Sequence, residues 1–237
     1  MKNSTKEIIN EINTYRDESK AAFLPRFSKT GKGEYGEGDQ FIGVVVPNLR
    51  IVAKKHFDAD FDTLRELLAS PYHEYRLTAL LALTYRYAKL KDHTSRETCV
   101  NFYVSQVDAI NNWDLVDLSC YKILGHWLFD KDKQLLYDWA KENHLWKQRI
   151  AIISCMHFVK QGEFKDALAI ADLLQHHPHD LIHKAVGWIL REIGKEDEQL
   201  LVDYLTPRYK EMPRTMLRYA IERFEEGKRK AFLNSTI

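Results

Sequence analysis

The chain has 237 residues, of which 45% are hydrophobic and 29% are charged. This size and apolar content suffice for one large domain or a short array of repeats, and no apolar run approaches the roughly 18 residues that would cross a bilayer. Lysine and arginine (35) nearly balance aspartate and glutamate (34), so the net charge of +1 neither favours nor excludes a polyanionic partner.

The N-terminal twenty residues mix both signs of charge and lack the apolar core of a secretory signal peptide. Three cysteines, Cys99, Cys120 and Cys155, lie far apart without a CxxC pair. That pattern indicates buried thiols in a reducing compartment and not a disulfide framework. We therefore expect a cytoplasmic protein that does not enter a membrane.

A glycine-rich loop is expected at about 28–41, between an N-terminal helix that ends near Pro25 and a helix that begins near Pro47. Residues 30–40 hold four of the ten glycines, and residues 31–36 read GKGEYG, a literal GxGxxG. The dinucleotide fingerprint needs a strand directly before it and a helix directly after it, and neither is predicted. We interpret the segment as a surface loop, with nucleotide binding as the weaker alternative.

From the loop to the C-terminus, apolar residues recur at three- and four-residue spacing, which is typical of helices. Strongly apolar helices are expected at 75–87, 115–129, 151–159 and 181–193, the last one capped by Gly194. More polar helices are expected at 132–143 and 163–175. The landmarks Arg76, Trp113, Trp146, Lys184 and Leu217 recur roughly every 33 to 40 residues, as in HEAT and armadillo repeats. We predict an all-α protein with one HEAT-like helical-repeat solenoid over residues 1–237, an α-α superhelix with a concave surface.

Four histidines, His176, His177, His179 and His183, lie close together in the sequence. Histidines four apart on a helix can share a metal, but Pro178 interrupts the run and no further ligand stands at a recognisable spacing. A turn followed by a helix cap at Asp180 is the preferred interpretation. We predict no metal site.

The C-terminal stretch 208–230 holds eight lysines and arginines against four glutamates, which gives it a local charge of +4. A solvated helix face and a phosphate-contacting surface both fit this composition, and the sequence leaves the two alternatives open.

A carboxylate, a guanidinium and two indoles recur at helical and repeat spacing. Trp113 and Asp117 are four residues apart and share one helix face, as do Trp188 and Arg191, three apart. Arg149 follows Trp113 by 36 residues and precedes Trp188 by 39, about one repeat in each case. In a solenoid this spacing stacks the side chains on one surface. The alternative is that the tryptophans are core residues and the Asp–Arg pair is structural.

The same residues lie in three of four motifs that occur in order between about residues 41 and 192. The segments are 41–50 (F-x-G-[IV]-x-x-P-x-x-R), Trp113–Asp117 (W-D-x-V-D), 146–149 (W-x-Q-R) and 184–192 (K-A-x-G-W-x-L-R-E). In combination they resemble the AlkD family of DNA alkylation-repair glycosylases. The long glycine-rich loop departs from the simplest members of that family.

The resemblance implies a protein of HEAT-like repeats that removes cationic alkylated purines, such as N7-methylguanine and N3-methyladenine, from double-stranded DNA in base excision repair. It implies that Asp117 is the catalytic carboxylate, flanked by Trp113, Trp188 and Arg149. DNA contacts would come from Arg191, Lys184 and Arg50. We expect a monomer without cofactor or metal. The alternative is a non-catalytic HEAT-repeat protein that binds DNA or acts as a protein scaffold.

Overall fold

The computed structural model describes residues 4–237, and this range is all-α, as predicted. It contains no β-strand, only an isolated parallel bridge between Gln40 and Tyr72. The chain divides into two compact units, Met1–Ile123 and Leu124–Ile237. Over the same described range, no helix combines the length and the apolar character needed to span a membrane. Cys99, Cys120 and Cys155 are all buried and form no disulfide.

The first unit is built around one long central helix. Its helices are α1 (Thr5–Asn13), α2 (Glu18–Phe23), α3 (Pro25–Ser28), α4 (Val46–Lys55), α5 (Phe61–Leu68), α6 (His73–Lys89), α7 (His93–Ser105) and α8 (Trp113–Asp117), with a 3₁₀ turn at Val107–Ala109. The 17-residue α6 packs against α4, α5 and α8. Every residue of this helix from His73 through Thr84 is buried, around its whole circumference, which explains why its apolar pattern is not confined to one face.

Capping residues and prolines set several of these helix starts. The side chains of Asp17, Asp60 and Asp92 each accept a hydrogen bond from a backbone N–H in the first turn of the following helix. Pro47 lies in the first turn of α4, where a backbone N–H would have no partner within the helix, so proline is well tolerated there. The helix start predicted near Pro47 is confirmed. The single predicted N-terminal helix is wrong: it is three short helices, because Asp17 caps a new helix and Pro25 begins another.

The glycine-rich loop is closed by its own hydrogen bonds. Glu34 accepts a bond from the Gly31 N–H (2.9 Å), and Glu37 accepts one from the Gly33 N–H (2.8 Å). A third glycine N–H, that of Gly36, donates to the carbonyl of Lys29. These N–H groups are occupied by the loop itself. No strand precedes them and the next helix begins only at Val46, so both structural requirements of a dinucleotide-binding turn are missing here.

Gly43 occupies a position that only glycine tolerates. Its φ is +84°, and a Cβ built on it would lie 1.9 Å from the carbonyl oxygen of Asp17 and 2.7 Å from the backbone nitrogen of Ala21. Its own N–H donates to Oε1 of the buried Glu74 over 2.9 Å. The backbone around Gly43 therefore fits closely between the start of α2 and the start of α6.

We expect Gly43→Ala to lower the free energy of unfolding by at least about 2 kcal/mol. The loss has two causes, because a side chain is strained at a positive φ and because the added Cβ would overlap neighbouring backbone atoms. Gly38→Ala is the matched control, because Gly38 also has a positive φ (+89°) but nothing lies within 4 Å of the position that a Cβ would take there. Urea denaturation of both variants measures the difference. Equal losses of stability would contradict the close approach at Gly43.

The second unit contains the remaining helices. They are α9 (His126–Leu128), α10 (Gln134–Lys141), α11 (Leu145–Ser154), α12 (Met156–Lys160), α13 (Lys165–Leu174), α14 (Asp180–Glu196), α15 (Glu198–Leu205), α16 (Arg214–Ala220) and α17 (Glu226–Asn234). The 17-residue α14 packs against α11, α12, α13, α15 and α16 and is the centre of this unit.

Two predicted helix ends in the second unit are wrong. Helix α14 continues through Gly194 to Glu196, and Asp197 is the C-cap. Gly194 is small for another reason: a Cβ there would lie 2.4 Å from Cδ2 of Leu201 on α15. The N-cap of α14 is His179 and not Asp180, because the His179 ring nitrogen accepts a bond from the backbone N–H of Leu181.

The helix predicted over 115–129 is interrupted. Helix α8 ends at Asp117, and a π-helical turn follows at Tyr121–Gly125 before α9. The hydroxyl of Ser119 donates to the Leu115 carbonyl, four residues earlier. A serine hydroxyl that takes this carbonyl competes with the backbone and bends helices, which accounts for the interruption.

Candidate active site

Helix α8 carries two of the residues predicted to be catalytic. Trp113 is its first residue and Asp117 its last, and both side chains are half-buried. Four residues along an α-helix bring side chains to the same face, so the structure agrees with the predicted shared face of these two residues.

The negative charge of Asp117 affects a buried tyrosine in the core of the first unit, Tyr103. Burial raises the pKa of the Tyr103 hydroxyl, and the neighbouring Cys120 and Asp117 raise it further. Tyr103 is fully buried and pairs with the hydroxyl of Ser119 over 3.0 Å. Asp117 therefore lies near enough to the buried Tyr103 to disfavour ionisation of the phenol.

Trp113 is anchored by the edge of its ring. The indole Nε1 donates to the Phe27 carbonyl over 3.1 Å, and the Tyr35 hydroxyl donates to the same oxygen over 3.2 Å. The glycine-rich loop and α8 are therefore joined through one carbonyl of α3. This bond restrains the orientation of the indole and satisfies its only polar hydrogen.

A cluster of buried charges lies at the start of α8; we call it the Asp39 cluster and define it as Asp39, His73, Arg76, Asn112 and Asp114. Asp39 accepts bonds from Arg76 (2.6 Å), His73 Nδ1 (3.2 Å) and the Asn112 amide (3.1 Å). The other ring nitrogen of His73 faces Asp114 over 2.9 Å. The side chains of Asp39 and His73 are 2% and 4% exposed, so these pairs are shielded from water.

Two members of the Asp39 cluster also hold the backbone of α8. Asn112 is the N-cap, and its side-chain oxygen accepts a bond from the Trp113 N–H over 2.9 Å. Asp114 accepts a bond from the N–H of Leu115 over 2.9 Å. The cluster therefore fixes the first turn of the helix that ends at Asp117.

The Asp39 cluster favours a doubly protonated His73. Burial alone lowers the pKa of this imidazole, but the carboxylates of Asp114 and Asp39 overcome that effect and raise the pKa to about 9. Both ring nitrogens face carboxylate oxygens, so only the imidazolium can donate to both. Burial also opposes ionisation of Asp39, yet His73 and Arg76 lower the pKa of that carboxyl below its usual value. The positive charges of His73 and Arg76 balance the negative charges of Asp39 and Asp114, so the cluster is neutral overall.

Glu74, the residue after His73, is almost fully buried and joins the chain that follows the glycine-rich loop to α6. Its carboxyl accepts bonds from three consecutive backbone N–H groups, those of Ile42 (3.1 Å), Gly43 (2.9 Å) and Val44 (3.3 Å). Burial raises the pKa of Glu74, although these donors act in the opposite direction. The F-x-G stretch of the sequence is thus a backbone cradle for a carboxyl group.

A mostly apolar cavity of about 360 Å³ lies beside Trp113 within the first unit. Its apolar lining includes Phe27, Phe41 and Pro47, and its polar lining includes Asp114 and His73. Phe41 stacks on the His73 ring with the ring centroids 4.9 Å apart. The cavity therefore lies between the indole of α8 and the Asp39 cluster.

Arg50, predicted to contact DNA, lies on α4 and is half-buried. Burial and the nearby Cys120 raise the pKa of Tyr121, and the positive charge of Arg50 partly offsets this rise. The charge of Arg50 therefore affects the ionisation of Tyr121, which lies in the segment directly after α8.

The other predicted site residues belong to the second unit. Arg149 on α11 is only 5% exposed, and its guanidinium donates to the carbonyl of Leu181 in the first turn of α14. Trp188 lies two turns further along α14 and is half-buried. Arg149 therefore holds the first turn of the helix that carries Trp188.

The two remaining residues predicted to bind DNA already have partners within the protein. Lys184 pairs with Asp180 over 2.7 Å. Arg191 pairs with Glu192 and with Glu222. Binding to phosphate would require both residues to exchange a carboxylate for a phosphate group.

The histidine run before α14 serves local structure. His177 pairs with Gln148 over 2.9 Å, and the His183 ring contacts the carbonyl of His177. Among residues 4–237, no three histidine, cysteine, aspartate or glutamate side chains are grouped so as to hold a metal ion.

The fold and the sequence agree with those of a known family. A family model described as DNA alkylation repair enzyme matches residues 8–224, which is nearly the whole chain. The protein therefore belongs to the DNA alkylation repair enzyme family. A solved structure described as a predicted DNA alkylation repair enzyme from Enterococcus faecalis has the same fold, with a TM-score of 0.68 at 13% identity, over 89% of this chain and 97% of that one. No curated protein matches the sequence. The assignment of the helices to HEAT-like repeats stays a prediction.

Proposed function

We propose that this protein is a monofunctional DNA glycosylase. Its substrates would be cationic alkylated purines, N7-methylguanine and N3-methyladenine, in double-stranded DNA, and its products the free base and an abasic site for base excision repair. The observation that carries the proposal is the short helix α8, which bears Trp113 and Asp117 and is fixed at its start by the buried Asp39 cluster, in a member of this repair family.

The chemistry suits a single carboxylate. An N-alkylated purine is already cationic and leaves without protonation by a general acid, so the main demand is to stabilise positive charge developing on the deoxyribose. A carboxylate about 4 Å from that charge contributes roughly 4 kcal/mol at an effective dielectric constant near 20. This corresponds to about three orders of magnitude in rate. We assign this role, and the positioning of the attacking water, to Asp117.

The remaining predicted residues would assist in different ways. An indole face contributes roughly 0.5–2 kcal/mol to binding a cation, and the Nε1 bond to Phe27 holds Trp113 in a fixed orientation for such a contact. From the second unit, Trp188 would supply a further indole and Arg149 a guanidinium suited to phosphate or carboxylate. We expect the protein to act as a cytoplasmic monomer with neither metal nor cofactor.

The test is base release. The full chain is incubated with methylated duplex DNA, and freed N7-methylguanine and N3-methyladenine are separated and quantified by chromatography. The proposal predicts release of both bases without strand cleavage. DNA binding without release would support a non-catalytic DNA-binding protein instead, and a failure to bind any DNA would support a protein scaffold.

A further inference from the structure

We propose that Arg214 and Arg218 on α16 form a phosphate-contacting pair that binds the backbone of duplex DNA. The inference rests on the proposed function for the identity of the ligand. It concerns the basic C-terminal stretch 208–230, which lies beyond the motifs that resemble known glycosylases.

Several basic residues of the stretch 208–230 are neutralised within the protein. Arg208 pairs with Asp172 over 2.8 Å and lies over the ring of Tyr204. Lys228 pairs with Glu198, and Lys230 pairs with its helix neighbour Glu226. The pairs of Arg208 and Lys228 with acidic residues outside the stretch offset two of the four charges of the local excess, whereas Glu226 is already counted in it.

Arg214 and Arg218 differ from them. Both side chains are exposed, and over the described residues 4–237 neither makes an ion pair or a hydrogen bond through its side chain. They are four residues apart on α16, on the face opposite to the buried Met216 and Ala220. Two free guanidinium groups therefore project side by side into solvent.

Helix α16 is held firmly against α14, the helix that carries Trp188. A Cβ on Gly187 would lie 2.5 Å from the Tyr219 Cβ and 2.6 Å from the Met216 carbonyl oxygen, so the two backbones are in close contact. The arginine pair therefore has a fixed position relative to Trp188 within the second unit.

The other basic residues of this region are less suited to the first contact with DNA. Lys184 and Arg191 on α14 are already paired with carboxylates, which a phosphate would have to displace. Arg223 and Arg229 are exposed, but they lie outside α16 and lack its contact with α14. Two unpaired guanidinium groups on a fixed helix match a row of phosphates, to which arginine binds with paired N–H donors.

The test is the salt dependence of DNA binding. Fluorescence anisotropy gives the Kd of a labelled duplex between about 50 and 200 mM NaCl for the wild type, for Arg214→Gln/Arg218→Gln and for Lys228→Gln/Lys230→Gln. Each phosphate contact contributes about 0.9 to the slope of log K against log salt. We expect the arginine variant to lose about 1.8 from the slope and to bind at least about tenfold more weakly at roughly 100 mM salt. The lysine variant removes the same net charge and should keep the wild-type slope.

The outcomes separate this inference from the proposed function. An unchanged slope in the arginine variant, or an equal loss in the lysine variant, would overturn the assignment of phosphate contacts. The variant Arg214→Lys/Arg218→Lys should have the wild-type slope, because lysine also neutralises phosphate. If this variant has a normal melting temperature but a reduced slope, the contact does not depend on charge and the proposal is wrong. Wild-type binding without base release would refute the glycosylase proposal and leave the slopes interpretable. A wild type that binds no duplex would overturn both.

Discussion

Replacing Asp117 by asparagine is expected to lower the single-turnover rate constant of N7-methylguanine release by about three orders of magnitude. Asparagine keeps the size of the side chain but removes the negative charge, and with it roughly 4 kcal/mol of attraction to the developing sugar cation. The affinity for undamaged duplex should change far less, because the charge matters chiefly in the transition state. Rapid-quench sampling with chromatographic detection of the free base measures the rate constant at saturating protein.

Asp203→Asn provides the control for this experiment. Asp203 is an exposed residue of α15 that accepts a bond from Gln199, so its replacement makes an equal change of charge at a residue with no predicted catalytic role. Its release rate should equal that of the wild type. If Asp117→Asn retains a rate within about tenfold of the wild type while its DNA affinity and melting temperature are normal, the catalytic role of Asp117 is wrong.

The second large effect is on stability at alkaline pH. Because the folded-state pKa of His73 is raised to about 9 from an ordinary value of 6.5, this residue stabilises the fold fully below pH 6.5. The contribution declines as the pH rises and is lost once the pH passes about 9. At about 1.36 kcal/mol for each pKa unit, the loss over this window is about 3 kcal/mol. The groups that face His73 are Asp39, Asp114 and the stacked ring of Phe41, with Glu74 and Arg76 nearby.

Urea denaturation of the wild type and of His73→Gln at intervals from about pH 6 to about pH 9.5 isolates this effect. The variant should be the less stable protein at the acidic end of this range. Its deficit should narrow toward the alkaline end, because deprotonation removes the charge of His73 from the wild type. Parallel stability profiles for the two proteins would show that His73 is not the titrating group.

The local amino-acid sequence alone determined the helical structure of this protein. Three- and four-residue apolar spacing requires helices, and side chains such as Asp60 and Asp92 cap a helix through bonds that span only three residues. For the same reason, the pairing of Trp113 with Asp117 on one face was predictable, since it depends on the geometry of a single helix. The family resemblance supplied the chemical interpretation of that pair.

Glycine roles were harder to predict because they depend on a distant neighbour. Gly194 has the sequence context of a helix cap, yet its role is to admit Leu201 of α15. Gly43 and Gly187 likewise accommodate the close approach of other backbone segments. Nothing in the local sequence specifies which segment will come so close to a missing Cβ.

The Asp39 cluster was decided by the tertiary structure alone. Its hydrogen bonds join residues 34 to 73 positions apart, as between Asp39 and His73 or between Asp39 and Asn112. A buried charge is tolerated only when the fold brings it an opposite charge and hydrogen-bond donors or acceptors, and these partners have no fixed spacing in the sequence. The sequence by itself determined that α8 carries Trp113 and Asp117, and only the packing of α6, the segment at Asp39 and α8 decided what holds that helix in place.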